Sequence, residues 1–386
     1  MNIRAVQIVI SVIFLAALLS LLSSEIQKSP VIPANADESG MARTQPAALT
    51  EKQRRFGALL KVQPKESGGS VALNFYRENY DVYGPQDIIA ALNDTPFCHA
   101  LGHNFGRVVY ERTRDLAEAT MICGPSCSNG CTHGVLMQMF MEKSGQTAAS
   151  SEEHVKLEDL SSGFTQEIQG LCKENSPILL YTPIGNCYHA VGHALAILGG
   201  AKVRESLDLC KLFEERGWGA MYYCATGVYM ERDIQHAESD AKVSKIYPCA
   251  NNPFPAACFR YKLRSVFNFR TQLEEAQNTC LALTGSDRSG CFHGLGFGAY
   301  RIVYQDPIKI NEVCKSGDDL DKRLCMEGVF GFTNIYDRKI AARACEAYTA
   351  GSRELCEKAA MVSNFGMERD FEPYVESAKK LLFPEK

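Results

Sequence analysis

The sequence predicts an all-α protein: disulfide-stapled helical-hairpin repeats forming a solenoid or α/α ring, preceded by one N-terminal transmembrane helix. Three observations carry this expectation. Half of the sixteen cysteines recur at a period near 34 residues, small and apolar residues follow them at helical spacing, and the first thirty residues hold a long uncharged run.

That run extends from Ala5 to Leu22, behind Arg4, and contains no charge and two serines. Its length suffices to cross a bilayer. Residues 1–23 therefore read as a signal-anchor or signal peptide. The anchor is preferred because no small-x-small cleavage site follows directly. Arg4 would stay cytoplasmic and the body would lie outside the cytoplasm, on the periplasmic, extracellular or lumenal side. Residues 24–68 are polar and carry Pro, Gly and Ser, which reads as a tether. Residues 69–386 form the helical-repeat domain, with seven to eight hairpins. A net charge of -4 without a basic run excludes nucleic acid as a partner.

Cys98, Cys131, Cys187, Cys224, Cys258, Cys291, Cys325 and Cys356 each precede a helix-like segment. Their separations are 33, 56, 37, 34, 33, 34 and 31. The one long gap holds a polar insertion at 142–159. The other eight cysteines lie toward the ends of the preceding helical stretches. A period near 34 is that of a two-helix repeat. It resembles tetratricopeptide and Sel1-like repeats in period and helix pairing alone, since their signatures are not matched. An even cysteine count with few close pairs favours disulfides over zinc knuckles. The expected bridges are Cys172–Cys187, Cys210–Cys224, Cys249–Cys258, Cys280–Cys291, Cys314–Cys325 and Cys345–Cys356. Cys98, Cys123, Cys127 and Cys131 form two more, with their pairing open. Gly102, Gly134, Gly192, Gly294 and Gly298, early in the second helices, suggest close backbone packing. Gly130 and Gly290, beside cysteines, read as turn glycines.

Six of the eight histidines follow the hairpin cysteines: His99, His103, His133, His189, His193 and His293. Two residues past the cysteine stand His133, His189, Thr226, Arg260, His293, Glu327 and Lys358, so one position of the repeat is polar in every copy. Equivalent positions of stacked hairpins share a face, and this stripe should line a groove or cavity. His99 with His103, and His189 with His193, are spaced i, i+4 and share a helix face. They are candidate two-nitrogen ligands. Neutral imidazole suits a transition metal, with Fe or Cu favoured and Zn next. His133, His293 and Glu327 are the further candidate ligands. Arg107 and Tyr110 follow the first pair as candidate neighbours of the site. No HExxH and no CxxCH occurs, which disfavours a zincin-type peptidase and excludes covalent haem.

Two functions fit these residues. One is a membrane-anchored extracytoplasmic metalloprotein, with the polyhistidine site on the inner face of the repeats; as an enzyme it would be a metal-dependent oxidoreductase. The alternative is a non-enzymatic binding scaffold for a peptide, small molecule or envelope component in the groove.

Overall fold

The computed structural model describes residues 48–64, 71–95, 98–145, 160–336, 339–361 and 379–382. Most of the polar insertion therefore lies outside the described residues. Those described are helical or in turns, and the all-α, disulfide-rich expectation holds.

The helix α1 (Glu51–Val62) starts at a capping box in which Thr50 and Gln53 satisfy each other's backbone N–H groups. It falls inside the stretch expected to be a tether. Its apolar face seats Phe56 and Leu60 in the core, with the Phe56 ring 5.6 Å from Phe75 and 5.1 Å from Tyr83. Those partners lie on or beside α2 (Leu73–Tyr83), which Gly84, at φ +80°, joins to α3 (Pro85–Asn93). A side chain at Gly84 would be strained in that left-handed conformation.

From there the chain alternates long buried helices with shorter outer ones. The inner row is α4 (His99–Thr113), α6 (Gly130–Lys143), α8 (Ile184–Leu198), α10 (Trp218–Val243), α11 (Pro255–Val266), α13 (Gly285–Gln305), α15 (Asp319–Tyr336) and, largely exposed at its end, α17 (Ala350–Ala360). Between them run α5 (Leu116–Cys123), α7 (Ser162–Gly170), α9 (Val203–Cys210), α12 (Leu273–Leu281), α14 (Ile310–Val313) and α16 (Lys339–Glu346). Each helix of the row packs on the one before and the one after it. Among the described residues α4 makes no extensive contact with α17, so the row is an open stack and not a closed ring.

Disulfides clasp each outer element to the buried helix that follows. All six bridges expected from the spacing are present, and the first four cysteines pair as Cys98–Cys127 and Cys123–Cys131. No described cysteine is free.

Glycine sets how closely the buried helices approach. A Cβ on Gly106 would come within 1.8 Å of the Cys131 carbonyl oxygen, and one on Gly134 within 1.8 Å of that of His103. The pair locks α4 onto α6. Gly192 and Gly227 do the same for α8 and α10, each 2.0 Å from a carbonyl oxygen of the other helix. Gly130 and Gly290 belong to this class too: a Cβ there would meet the His99 oxygen at 2.2 Å and the Ala256 nitrogen at 2.6 Å. Their reading as turn glycines is corrected, because both lie inside helices where a neighbour's backbone leaves no room.

The expectation of a transmembrane helix is also corrected. Among the described residues no helix is long and apolar enough to cross a membrane. The longest, α10 with 26 residues and α13 with 21, carry Glu231, Arg232 and Asp233, and Asp287, Arg288 and Arg301, charges that a bilayer core penalises. Residues 1–23 lie outside the described residues. The membrane-anchored function, the membrane as partner, and the single-pass topology with its periplasmic, extracellular or lumenal body all depended on that helix, and are set aside.

Candidate metal centre

Five imidazoles from three consecutive buried helices converge. Helix α4 contributes His99 and His103, α6 contributes His133, and α8 contributes His189 and His193. The ring of His133 stands 4.8 Å from that of His99, 5.4 Å from His103, 5.1 Å from His189 and 5.1 Å from His193, centroid to centroid. His103 and His193 meet at 4.9 Å. His103, His133, His189 and His193 are buried, and His99 is half-buried. One ligand atom from each of His99, His133, His189 and His193 lies within 4.8 Å of all the others, and the same holds for His103, His193 and Glu231. A buried cluster able to hold a metal ion is therefore present.

The surroundings aim the rings. Cys127, Ser128 and Asn129 all have positive φ, at 51°, 53° and 64°, an uncommon conformation for Cys and Ser. The Cys98–Cys127 bridge and a hydrogen bond from the Cys127 N–H to Asn93 Oδ1 (3.0 Å) hold this turn. It directs the Cys127 and Ser128 carbonyls at His99 Nδ1, at 3.1 and 3.2 Å. Carbonyls only accept, so Nδ1 carries the proton and Nε2 is left as a lone pair. His193 Nδ1 likewise donates to Glu231 Oε2 at 3.0 Å. The Thr226 hydroxyl spends its proton on the Tyr223 carbonyl (2.6 Å) and accepts from His189 Nδ1 (2.7 Å). Three rings thus have Nδ1–H tied back and Nε2 presented inward, as a ligating histidine needs.

Two consequences follow. His189 Nε2 and His193 Nε2 face each other at 3.2 Å, and when both rings are neutral they do so as two lone pairs. Donors 2.0–2.1 Å from one tetrahedral ion stand about 3.3 to 3.4 Å apart, so the spacing is that of two ligands on one cation. His99 and His103 show the same Nε2 to Nε2 distance, 3.2 Å. At the centre, His133 is fully buried and neither of its ring nitrogens has a hydrogen-bond partner. Buried polar atoms in folded proteins are almost always satisfied, and a cation is the partner this ring suits.

Four of the rings, His99, His103, His133 and His189, are held toward the neutral form that binds a metal. Burial pushes His99 down to about 4, helped by the nearby His193, against the opposing pull of its two carbonyl partners. Burial, then neighbouring imidazoles, hold His103 and His133 well below the usual histidine range. His189 is lowered by burial, His193 and Arg260. Burial works to raise the Glu231 carboxyl, but hydrogen bonds from His193 and from Gln235 (2.7 Å) outweigh it and keep it below its ordinary value.

The remaining candidates lie elsewhere. His293 and Glu327 join neither ligand group. His293 is buried beside Arg260, which pushes it down, after burial itself, to about 3. Glu327 is buried 3.5 Å from Arg323. Arg107 bonds to Gln138 (3.3 Å), and its charge is felt at His103. Tyr110 is buried near Glu167 and Arg114, away from the cluster. The polar stripe is buried from His133 to Glu327, and only its last member, Lys358, is exposed, paired with Glu354 at 2.8 Å.

Glu231 went unnoticed in the sequence. It lies five residues after Thr226, about 140° round the helix, so it falls off the stripe. Only the packing of α10 on α8 returns its carboxylate to His193.

No protein-family model, no curated protein and no solved structure matches this chain.

Proposed function

We propose that this protein is a metal-binding helical-repeat scaffold whose ligand is a transition-metal ion held by His99, His133, His189 and His193, with His103 adjoining. The observation that carries this reading is His133, a fully buried imidazole with both nitrogens unsatisfied in the middle of four others. Thr226, Glu231 and the Cys127–Ser128 turn orient the donors from behind. Binding without catalysis is favoured by enclosure. Catalytic metal sites keep an open position for substrate, whereas closed all-protein donor sets are structural or storage sites. An all-imidazole set without thiolate follows the Irving–Williams order, which puts copper first, with iron and zinc as weaker occupants.

The test is elemental analysis of the full chain purified without a histidine tag, before and after chelation. Stoichiometric metal, lost on changing His133 or His193 to Ala, supports the proposal. A protein that carries no metal, takes up none of Cu2+, Fe2+ or Zn2+, and melts at the same temperature in chelator refutes it.

A further inference from the structure

The donors do not share one centre. His103 is absent from the four-imidazole group, although its Nε2 lies 3.2 Å from that of His99. It belongs with His193 and Glu231, the second set whose ligand atoms lie within 4.8 Å of one another. His193 is common to both. Its Nε2 faces His189 at 3.2 Å and its Nδ1 faces Glu231 Oε2 at 3.0 Å, on the other edge of the ring. A nitrogen and an oxygen bound to one ion at 2.0–2.1 Å stand about 3 Å apart when the angle between them is near a right angle. The 3.0 Å separation therefore fits a coordination edge as well as a hydrogen bond.

From this geometry we infer that the cluster is a two-ion centre: the four-imidazole site and a second site of His103, His193 and Glu231, bridged by the two nitrogens of His193. The inference rests on the metal-binding reading above. When the second ion binds, the His193 Nδ1 proton leaves to solvent, and the ring becomes a bridging imidazolate. Metal–nitrogen bonds of about 2.0 Å on either side of the ring put the ions about 6 Å apart. The imidazolate and the Glu231 carboxylate bring two negative charges to the bridge. The second site has three donors against four in the first and must displace the His193 Nδ1 proton, so it is the weaker one and fills after the first.

The experiment is a titration of the chelator-treated full chain, disulfides intact, with Cu2+, read by bound copper after gel filtration and by electron paramagnetic resonance. Two ions per chain are expected. The resonance of the first equivalent should lose intensity as the second binds, because a bridging imidazolate couples the two spins. Glu231→Gln and His103→Ala should each hold one ion with the first-equivalent spectrum retained. One ion in the wild type, or two ions whose resonances simply add, overturns the two-ion centre and leaves the single site standing. Retention of two coupled ions in Glu231→Gln overturns the placing of the second site. No bound copper at all overturns the two-ion centre, and if Fe2+ and Zn2+ are not taken up either, the metal-binding reading falls with it. The wild-type count and coupling decide the matter even if a variant does not fold.

Discussion

Replacing His133 by Leu should change the sign of its effect with metal. The ring is fully buried, and neither nitrogen has a hydrogen-bond partner. A buried unsatisfied donor or acceptor costs about 1–3 kcal/mol, and a neutral imidazole brings one of each. An apolar side chain of similar bulk removes that penalty, offset by about 1–3 kcal/mol of imperfect packing. The metal-free variant should therefore be more stable than metal-free wild type by about 1–3 kcal/mol. At about 2 °C per kcal/mol for a large domain, Tm rises by about 2–6 °C. With Zn2+ at a free concentration a thousandfold above Kd, the wild type gains about 4 kcal/mol by linkage, which the variant forgoes. Scanning calorimetry of both proteins, with chelator and with Zn2+, measures the four Tm values. The reasoning is refuted if His133→Leu melts lower than wild type in chelator and still responds fully to Zn2+.

Three further outcomes are expected. Thr226→Val removes the acceptor that holds His189 Nδ1–H; isothermal titration should show metal affinity falling about 10–100-fold, and calorimetry in chelator a metal-free Tm lower by about 2–6 °C, because the buried N–H loses its partner. Gly134→Ala forces a methyl against the His103 carbonyl, 1.8 Å away, whereas Gly163→Ala meets nothing within 4 Å. The first should cost about 3 kcal/mol or more by chemical denaturation and the second should be neutral to stabilising by up to about 1 kcal/mol. His293 is held at about 3 in the folded chain, against about 6.5 unfolded. The unfolded state therefore takes the proton first, so stability is lost as pH falls from about 6.5 toward 3, at no more than about 1.4 kcal/mol per pH unit from this residue. In chelator, denaturation of His293→Gln at pH 7 and pH 4.5 should show a smaller acid loss than wild type, and an equal loss would remove His293 as a cause.

The helical-hairpin architecture was legible because it is written in local spacing. A bridge that closes a short loop needs its two cysteines at the end of one helix and the start of the next, so six pairs follow from distance along the chain. Cys98, Cys123, Cys127 and Cys131 escaped this logic. Cys127 sits in a left-handed turn that reaches back to Cys98, a geometry that spacing does not encode. The polar stripe was legible from its repeat register, since equivalent positions face the same way. Its fate was not. His133 and His189 meet because α6 packs directly on α8, whereas His293 and Glu327, in the same register, belong to helices further along the row.

The amino-acid sequence alone therefore determined the helical hairpins, most of their clasps and the sharing of a face by each histidine pair, all consequences of helix periodicity and short loop closure. Tertiary packing decided that three helices would pool their five imidazoles, which nitrogen each ring would turn inward, and that Glu231 would stand behind His193. Those outcomes depend on how closely glycine lets neighbouring backbones approach and on which acceptors that approach brings within hydrogen-bond reach.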